Sequence, residues 1–132
     1  MSMDSQGTKF GLFRFLKSFG YAADGIKSVW STEQNFRIHS CVGIIVFILA
    51  YLLSVSAMEW IILIILVFSV LALETMNTAI EKAVDLSVSD YHPLAKAAKD
   101  LASAAVLLFA VCTAVVGAII FIPKLLELVT TL

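Results

Sequence analysis

The sequence predicts an all-α integral membrane protein in which one amphipathic surface helix precedes three transmembrane helices. Of its 132 residues, 61% are hydrophobic and 14% are charged, which is too apolar for a soluble domain of this length. Three apolar runs are each long enough to cross a bilayer, and a segment rich in basic and aromatic residues comes before them. The net charge of −1 gives no basic surface, so nucleic acid is not an expected partner of this single domain, residues 1–132.

The first element, residues 9–30, is predicted to be an amphipathic helix in the membrane interface. Leu12, Phe15, Leu16 and Phe19 fall on one helical face, and the basic side chains lie mostly on the others. Aromatic residues on one face and basic residues on the other are typical of helices that lie on a bilayer surface. A plain anchoring helix without chemistry explains these features equally well.

Three transmembrane helices are then predicted from apolar runs and their polar borders. They cover residues 36–57, 60–85 and 93–123. The stretch 41–58 contains no charge over 18 residues, while Pro93 suits a first helical turn and Pro123 marks an exit. Cys41 and Cys112 lie inside apolar runs and are expected to be small buried side chains rather than a disulfide or a metal pair.

The distribution of basic residues predicts the orientation of the spans. Five basic residues precede the first span, namely Lys9, Arg14, Lys17, Lys27 and Arg37. The first loop has no basic residue, the second loop region has Lys82, Lys96 and Lys99, and the C-terminal tail has only Lys124. We therefore expect the N-terminus in the cytoplasm and the C-terminus outside.

A stripe of polar residues follows one face of the second span at its inner end. Glu74, Asn77, Glu81 and Asp85 lie at i, i+3, i+7 and i+11, within about 80° at ~100° per residue, and Thr78 joins them. A carboxylate in lipid costs roughly 2.5–3.5 kcal/mol even on the lenient insertion scale, so this stripe indicates a functional site.

The residue types in this region suit two kinds of chemistry. Several acids with Asn and Lys at the membrane–cytosol boundary fit Mg²⁺ with phosphates, and Glu74, about 10 Å deeper than Glu81, fits a base for a lipid hydroxyl. A transporter coupled to protons or cations would also use intramembrane carboxylates, and a holin-like structural protein is a third alternative. The sequence contains neither a GxxxxGK[ST] nor a GxGxxG loop, so a nucleotide site of those kinds is excluded.

The stretch LETMNTAIEKAVDLSVSDYHPLAKAAKDLASAAVLL resembles the signature of the prokaryotic diacylglycerol kinase family. The family pattern is E-x-x-N-[ST]-A-I-E-x-x-V-D, a short loop ending in His, and then A-K-D with small residues. The segment GYAADGIKSVWSTEQNFR resembles the family as well, and the likeness covers about residues 10–125. The HPLAK stretch and the IPK near the end are similar to the Gram-positive-type undecaprenol kinases.

The resemblance implies a homotrimeric lipid kinase of the bacterial plasma membrane, with sites formed between subunits. It implies transfer of the ATP γ-phosphate with Mg²⁺, to undecaprenol or alternatively to diacylglycerol. By the same resemblance, Glu74 is the catalytic base, and the metal-binding residues are Glu33 and Glu81. The nucleotide-binding residues are Arg14, Tyr21, Glu33, Asn77, Glu81, Asp90, Tyr91, His92, Lys99 and Asp100. The lipid-binding residues are Arg14, Lys27, Trp30, Asn35, Glu74 and Ser103.

Each of these residues also has a structural alternative. Glu74 and Glu81 could pair with nearby lysines, and Asn77 could be a hydrogen bond between helices. Glu33 could interact with a helix dipole, and His92 before Pro93 could be a helix cap.

Overall fold

The computed structural model describes the backbone of residues 5–131 and the side chains of residues 11–131. The described residues form four helices: α1 (Ser5–Thr32), α2 (Gln34–Leu52), α3 (Ala57–Ser87) and α4 (Pro93–Thr130). The chain divides between Glu33 and Gln34 into two compact units. The first unit holds α1, and the second holds the other three helices, which are each long and apolar enough to cross a membrane.

The predicted helix at residues 9–30 is confirmed as helix, within the longer α1. The side chain of Lys9 lies outside the described residues. Most of the described α1 side chains are exposed, and the Lys17 ammonium lies 5.8 Å from the ring centre of Phe13 and 6.0 Å from that of Tyr21. The position of α1 in a membrane interface stays a prediction.

Helix α2 ends earlier than the predicted residue 57 because the chain turns at Ser54. The Val55 N–H donates to the Ala50 carbonyl and the Ser54 N–H donates to the Tyr51 carbonyl, both at 3.2 Å. This pair of bonds is a Schellman ending, which needs a left-handed residue at its centre. Ser54 takes that conformation, with φ of 48°. The 19 residues of α2 still span about 28 Å, close to the hydrocarbon thickness of a bilayer.

The starts of α3 and α4 follow from local capping. The Ser56 hydroxyl accepts from the Glu59 N–H at 3.3 Å, and the Glu59 carboxylate accepts from the Ser56 N–H at 2.7 Å, so α3 begins with a capping box. Helix α4 begins at Pro93, as predicted, and His92 precedes it as the N-cap. The Nδ1 atom of His92 accepts from the Leu94 N–H at 3.2 Å.

Helix α4 continues through Pro123 to Thr130, beyond the predicted end of the third span at residue 123. A proline inside a helix removes one backbone hydrogen bond, and helices in membranes tolerate that loss when neighbouring groups support them. The next residue, Lys124, forms an ion pair with α3, since its Nζ lies 3.2 Å from the Glu59 carboxylate.

The tightest packing lies at the end of the second unit where α2 ends and α3 begins. Buried side chains from α2, the turn, α3 and α4 form one cluster: Ala50, Val55, Leu63, Ile120 and Phe121. The Phe47 and Trp60 rings pack beside it, with their centres 5.9 Å apart. The expectation of buried cysteines is wrong, since Cys41 and Cys112 are both exposed. In a membrane protein, an apolar run also supplies the outward face, so position within such a run does not imply burial.

A polar cavity and a loop cavity along the C-terminal half of α3

The carboxylate of Glu74 is buried within the second unit. Glu74 is 4% exposed and Thr78, one turn later, is 5% exposed. The Thr78 hydroxyl donates to the Glu74 backbone carbonyl at 3.0 Å, so it is satisfied within its own helix. The Glu74 carboxylate instead reaches across to α2, where its Oε1 lies 3.3 Å from the Nε2 of His39. A buried carboxylate with an imidazole partner is a group that can exchange a proton.

Glu74 lines a cavity of about 230 Å³, which we call the Glu74 cavity. Its polar lining comes from all three apolar helices: Asn35, His39, Glu74, Asn77 and Ser103. Its apolar wall comes from α4: Val106, Leu107 and Ala110. The structure thus brings together four predicted site residues that lie far apart in the sequence. A cavity with one apolar wall and a few convergent polar groups is the usual form of a small-molecule site.

Asn77 and Glu81 form the next pair along the same stripe. The Asn77 Nδ2 donates to the Glu81 Oε1 at 3.0 Å, while the Asn77 Oδ1 is buried and has no hydrogen-bond partner. A buried acceptor without a partner needs an explanation, and a bound donor or cation would supply one. The described residues contain no group of three or more His, Cys, Asp or Glu side chains placed to hold a metal ion. Two oxygen donors nevertheless fit Mg²⁺, which keeps several waters and takes phosphate oxygens as its other ligands.

A second cavity, also of about 230 Å³, lies where α3, the connecting loop and α4 meet, and we call it the loop cavity. Its charged and polar lining is Asp85, Asp90, Tyr91, His92, Lys96 and Lys99. Four predicted nucleotide-binding residues therefore share one cavity. The cap interpretation of His92 is confirmed at the same time, because its Nδ1 bonds the start of α4. The cap occupies only Nδ1, so its Nε2 can still contact a ligand.

Two ion pairs order the lysines of this region. Lys99 on α4 pairs with Asp85 on α3, and Lys96 pairs with Asp100 one turn later on α4. Lys99 and Asp100, which follow each other in the sequence, thus have different partners. Asp100 is not among the residues that line the loop cavity.

The remaining predicted site residues belong to the first unit. They are Arg14, Tyr21, Lys27, Trp30 and Glu33. Tyr21 and Trp30 are 65% and 48% exposed. The Glu33 carboxylate accepts a hydrogen bond from the Thr32 hydroxyl at 2.9 Å.

One lining residue of the Glu74 cavity, His39, was not predicted. A sequence signal exists, because His39 follows Asn35 by four residues and therefore lies on the same face of α2. Its contact with Glu74, however, depends on how α2 crosses α3, and a single sequence contains no direct record of that crossing.

Comparison with known proteins places the chain in a family. The family model for prokaryotic diacylglycerol kinase matches residues 20–121. Undecaprenol kinase from Bacillus subtilis is 46% identical over 123 residues, which cover 93% of this chain and all of that protein. Diacylglycerol kinase from Synechocystis is 44% identical over 114 residues, which cover 86% of this chain and 65% of that protein. Diacylglycerol kinase from Escherichia coli K12 is 38% identical over 98 residues, which cover 74% of this chain and 80% of that protein.

The match covers α2, α3 and most of α4, and with them both cavities. A multi-pass membrane arrangement agrees with the three apolar helices. The chain therefore belongs to the prokaryotic diacylglycerol kinase family, a family of lipid kinases.

Proposed function

We propose that this chain is an undecaprenol kinase, which transfers the γ-phosphate of ATP to undecaprenol and yields undecaprenyl phosphate. The observation that carries the proposal is the buried Glu74 carboxylate in a cavity with one apolar and one polar side. Identity of 46% with the Bacillus subtilis undecaprenol kinase along its whole length supports this lipid as the acceptor. Diacylglycerol is the alternative acceptor, because the other relatives named above are diacylglycerol kinases.

In this proposal, Glu74 takes the proton of the lipid hydroxyl. The Glu74 cavity receives the hydroxyl end of the lipid, and Asn35 and Ser103 provide hydrogen bonds that orient it. Val106 and Leu107 supply an apolar wall for the first carbons of the chain. A base held in a water-poor site next to its substrate avoids competing hydrolysis of ATP. Two reasons count against the transporter alternative. The chain belongs to a family of lipid kinases, and a transporter would not need the loop cavity.

The loop cavity is the proposed site for part of the nucleotide. Lys99 provides a cation for the phosphates, and His92 and Tyr91 provide a donor and a ring surface. Asp85 now neutralises Lys99, so phosphate oxygens must compete with this carboxylate for the ammonium group. Arg14 and Tyr21 from α1, with Asp90 and Asp100, complete the proposed nucleotide contacts. A trimer places residues of different subunits at one site, which three helices of a single chain can hardly enclose.

Magnesium would be held by Glu81 and Glu33, with the unpartnered Asn77 Oδ1 as a further oxygen. When bound, the ion neutralises charge on the phosphates that are being separated. The lipid contacts of Lys27 and Trp30 and the interfacial position of α1 belong to the same proposal. The homotrimer and the orientation with the N-terminus in the cytoplasm belong to the proposal as well. In that orientation the loop cavity faces the ATP side of the membrane.

Lipid phosphorylation by the purified protein tests the function. Undecaprenol and diacylglycerol are offered at equal mole fraction in mixed micelles with Mg-ATP, and Glu74→Gln is the matched control. We expect preference for undecaprenol and loss of transfer in Glu74→Gln by about 10²-fold or more, the usual size of a general-base contribution. Preference for diacylglycerol would replace the acceptor, and transfer by Glu74→Gln at the normal rate would refute the base.

Glu81→Gln tests the metal assignment separately. Because an amide is a weaker ligand than a carboxylate for a hard cation, we expect the Mg²⁺ concentration that gives half-maximal activity to rise about tenfold. The matched control is Glu127→Gln, which makes the same change at an exposed carboxylate that is assigned to neither the metal nor the nucleotide. An unchanged Mg²⁺ dependence in Glu81→Gln would remove Glu81 from the metal site.

A further inference from the structure

The proposed function assigns no role to His39, although its imidazole contacts the proposed base. The Nε2 of His39 lies 3.3 Å from the Oε1 of Glu74. The side chain of Glu74 is 5% exposed and that of His39 is 28% exposed, and both side chains line the Glu74 cavity. The two residues are 35 positions apart in the sequence and sit on different helices, α2 and α3.

A glycine in α2 brings the helix close to α3 near this contact. Gly43, one turn after His39, is buried, and a Cβ at this position would lie only 2.6 Å from the Val67 Cγ1 on α3. A residue without a side chain therefore allows α2 to approach α3 closely at this level. His39 and Gly43 share a helical face by their spacing of four, so the close approach turns the imidazole toward α3. Asn35, one turn before His39, lies in the same cavity.

The chemistry of a buried base calls for such a neighbour. Burial disfavours the ionised carboxylate, which is the form that accepts a proton, and a hydrogen bond from an N–H group stabilises that form. A carboxylate has about four lone-pair sites, so one bond from His39 leaves room for a substrate hydroxyl. An imidazole can supply this bond through one of its ring N–H groups.

We propose that His39 is a positioning residue, whose Nε2–H holds the Glu74 carboxylate oriented and ionised for the lipid hydroxyl. The inference rests on the proposed function. In the step that it serves, the hydroxyl proton passes to Glu74, and the hydroxyl oxygen forms a bond to the γ-phosphorus. The bond between that phosphorus and its bridging oxygen breaks, and ADP leaves with the electron pair. His39 touches neither the phosphorus nor the leaving group and acts only through Glu74.

Three variants test the proposal by lipid phosphorylation with Mg-ATP. His39→Ala removes the donor, His39→Gln keeps an N–H donor in a similar volume, and Ser40→Ala is the control on the same helix. We expect His39→Ala to lower kcat by about 10- to 100-fold, the size expected for a misplaced catalytic group, with KM for Mg-ATP within about twofold. His39→Gln is expected to lose less, and Ser40→Ala is expected to remain near the wild type.

A chemical rescue separates positioning from a merely structural role. Free imidazole, added to His39→Ala, is expected to restore part of kcat, because the deleted ring borders a cavity that can admit it. It is not expected to restore Glu74→Gln. If His39→Ala is too unstable to assay, His39→Leu, which fills the space without a donor, takes its place in the comparison with His39→Gln. Equal kcat values for His39→Leu and His39→Gln would refute the proposal.

The outcomes also separate this inference from the function on which it rests. If the wild type phosphorylates neither lipid, the proposed function fails. If the wild type is active and His39→Ala keeps kcat within about twofold, His39 does not position the base. A third outcome is that His39→Ala loses activity, free imidazole does not restore it, and the thermal unfolding midpoint falls as far in His39→Gln as in His39→Ala. In that case the contact is only structural and the proposal is overturned.

Discussion

Substitution of Gly43 by alanine is the sharpest test of how α2 and α3 are held together. Gly43 is buried against Val67, and an added Cβ would lie 2.6 Å from the Val67 Cγ1. Val67 is itself 8% exposed, and its branched side chain has one strongly preferred rotamer in a helix, so it cannot simply turn away. The new methyl group must therefore move one helix away from the other.

The size of that movement follows from the contact distance. Ordinary van der Waals contact begins at 3.4 Å, so the gap must open by about 0.8 Å. Overpacking of this kind costs about 1–3 kcal/mol. The same displacement, carried one turn along α2, would take the distance between His39 and Glu74 from 3.3 Å to about 4 Å, which is too long for a hydrogen bond. We therefore expect Gly43→Ala to lower both stability and kcat.

The measurement compares four proteins in one detergent: wild type, Gly43→Ala, Val67→Ala and the double variant. Val67→Ala removes the atoms that meet the new methyl group, so the double variant is expected to recover at least about 1 kcal/mol relative to the sum of the single effects. Gly117→Ala is the matched control within an apolar helix, because an added Cβ there meets nothing within 4 Å in the second unit. A Gly43→Ala protein with the unfolding midpoint and kcat of the wild type would refute the reasoning.

Two further predictions concern the turn and the loop cavity. Ser54→Gly is expected to stabilise the protein by about 0.5–1 kcal/mol, since glycine enters the left-handed conformation without the penalty that serine pays; Ser54→Val should lower the unfolding midpoint, and the reverse order would contradict the Schellman ending. Lys99→Gln is expected to raise KM for Mg-ATP about tenfold through loss of a charge-assisted bond, whereas Asp85→Asn should leave KM unchanged or lower it by freeing the ammonium group. Equal increases in both variants would show that the ion pair, and not the lysine alone, supports nucleotide binding.

The sequence predicted the helices well where the signal is local. Long apolar runs define α2, α3 and α4, and Pro93 with His92 defines the start of α4. Two differences from the predicted bounds are also local: Ser54, an uncommon residue for a left-handed turn, follows the end of α2, and α4 continues through Pro123. Propensity describes the average behaviour of a residue, and these two positions depart from it because of their neighbours.

The candidate site divides in the same way. The stripe from Glu74 to Glu81 could be predicted because its spacing is a property of one helix, and the buried Glu74 and the bond from Asn77 to Glu81 agree with it. The contacts of His39 with Glu74 and of Lys99 with Asp85 join different helices, and they depend on crossings that no spacing within one helix specifies. Gly43 indicates that α2 can approach another helix closely, but the sequence does not specify that Val67 on α3 is its partner.

The buried apolar cluster and the polar cavities of the second unit lie at opposite ends of its helices. Near the α2–α3 turn, a buried cluster that includes Leu63 and Phe121, with the pair of Glu59 and Lys124, holds the helices together. At the other end the same helices border two cavities that are lined by polar and charged groups. A cavity at the packed end would cost about 20 cal/mol per Å² of its surface, whereas the proposed function needs room at the polar end for a lipid hydroxyl and phosphates. In that proposal two large substrates enter the polar end, so the buried cluster near the α2–α3 turn has to supply stability that the cavities do not.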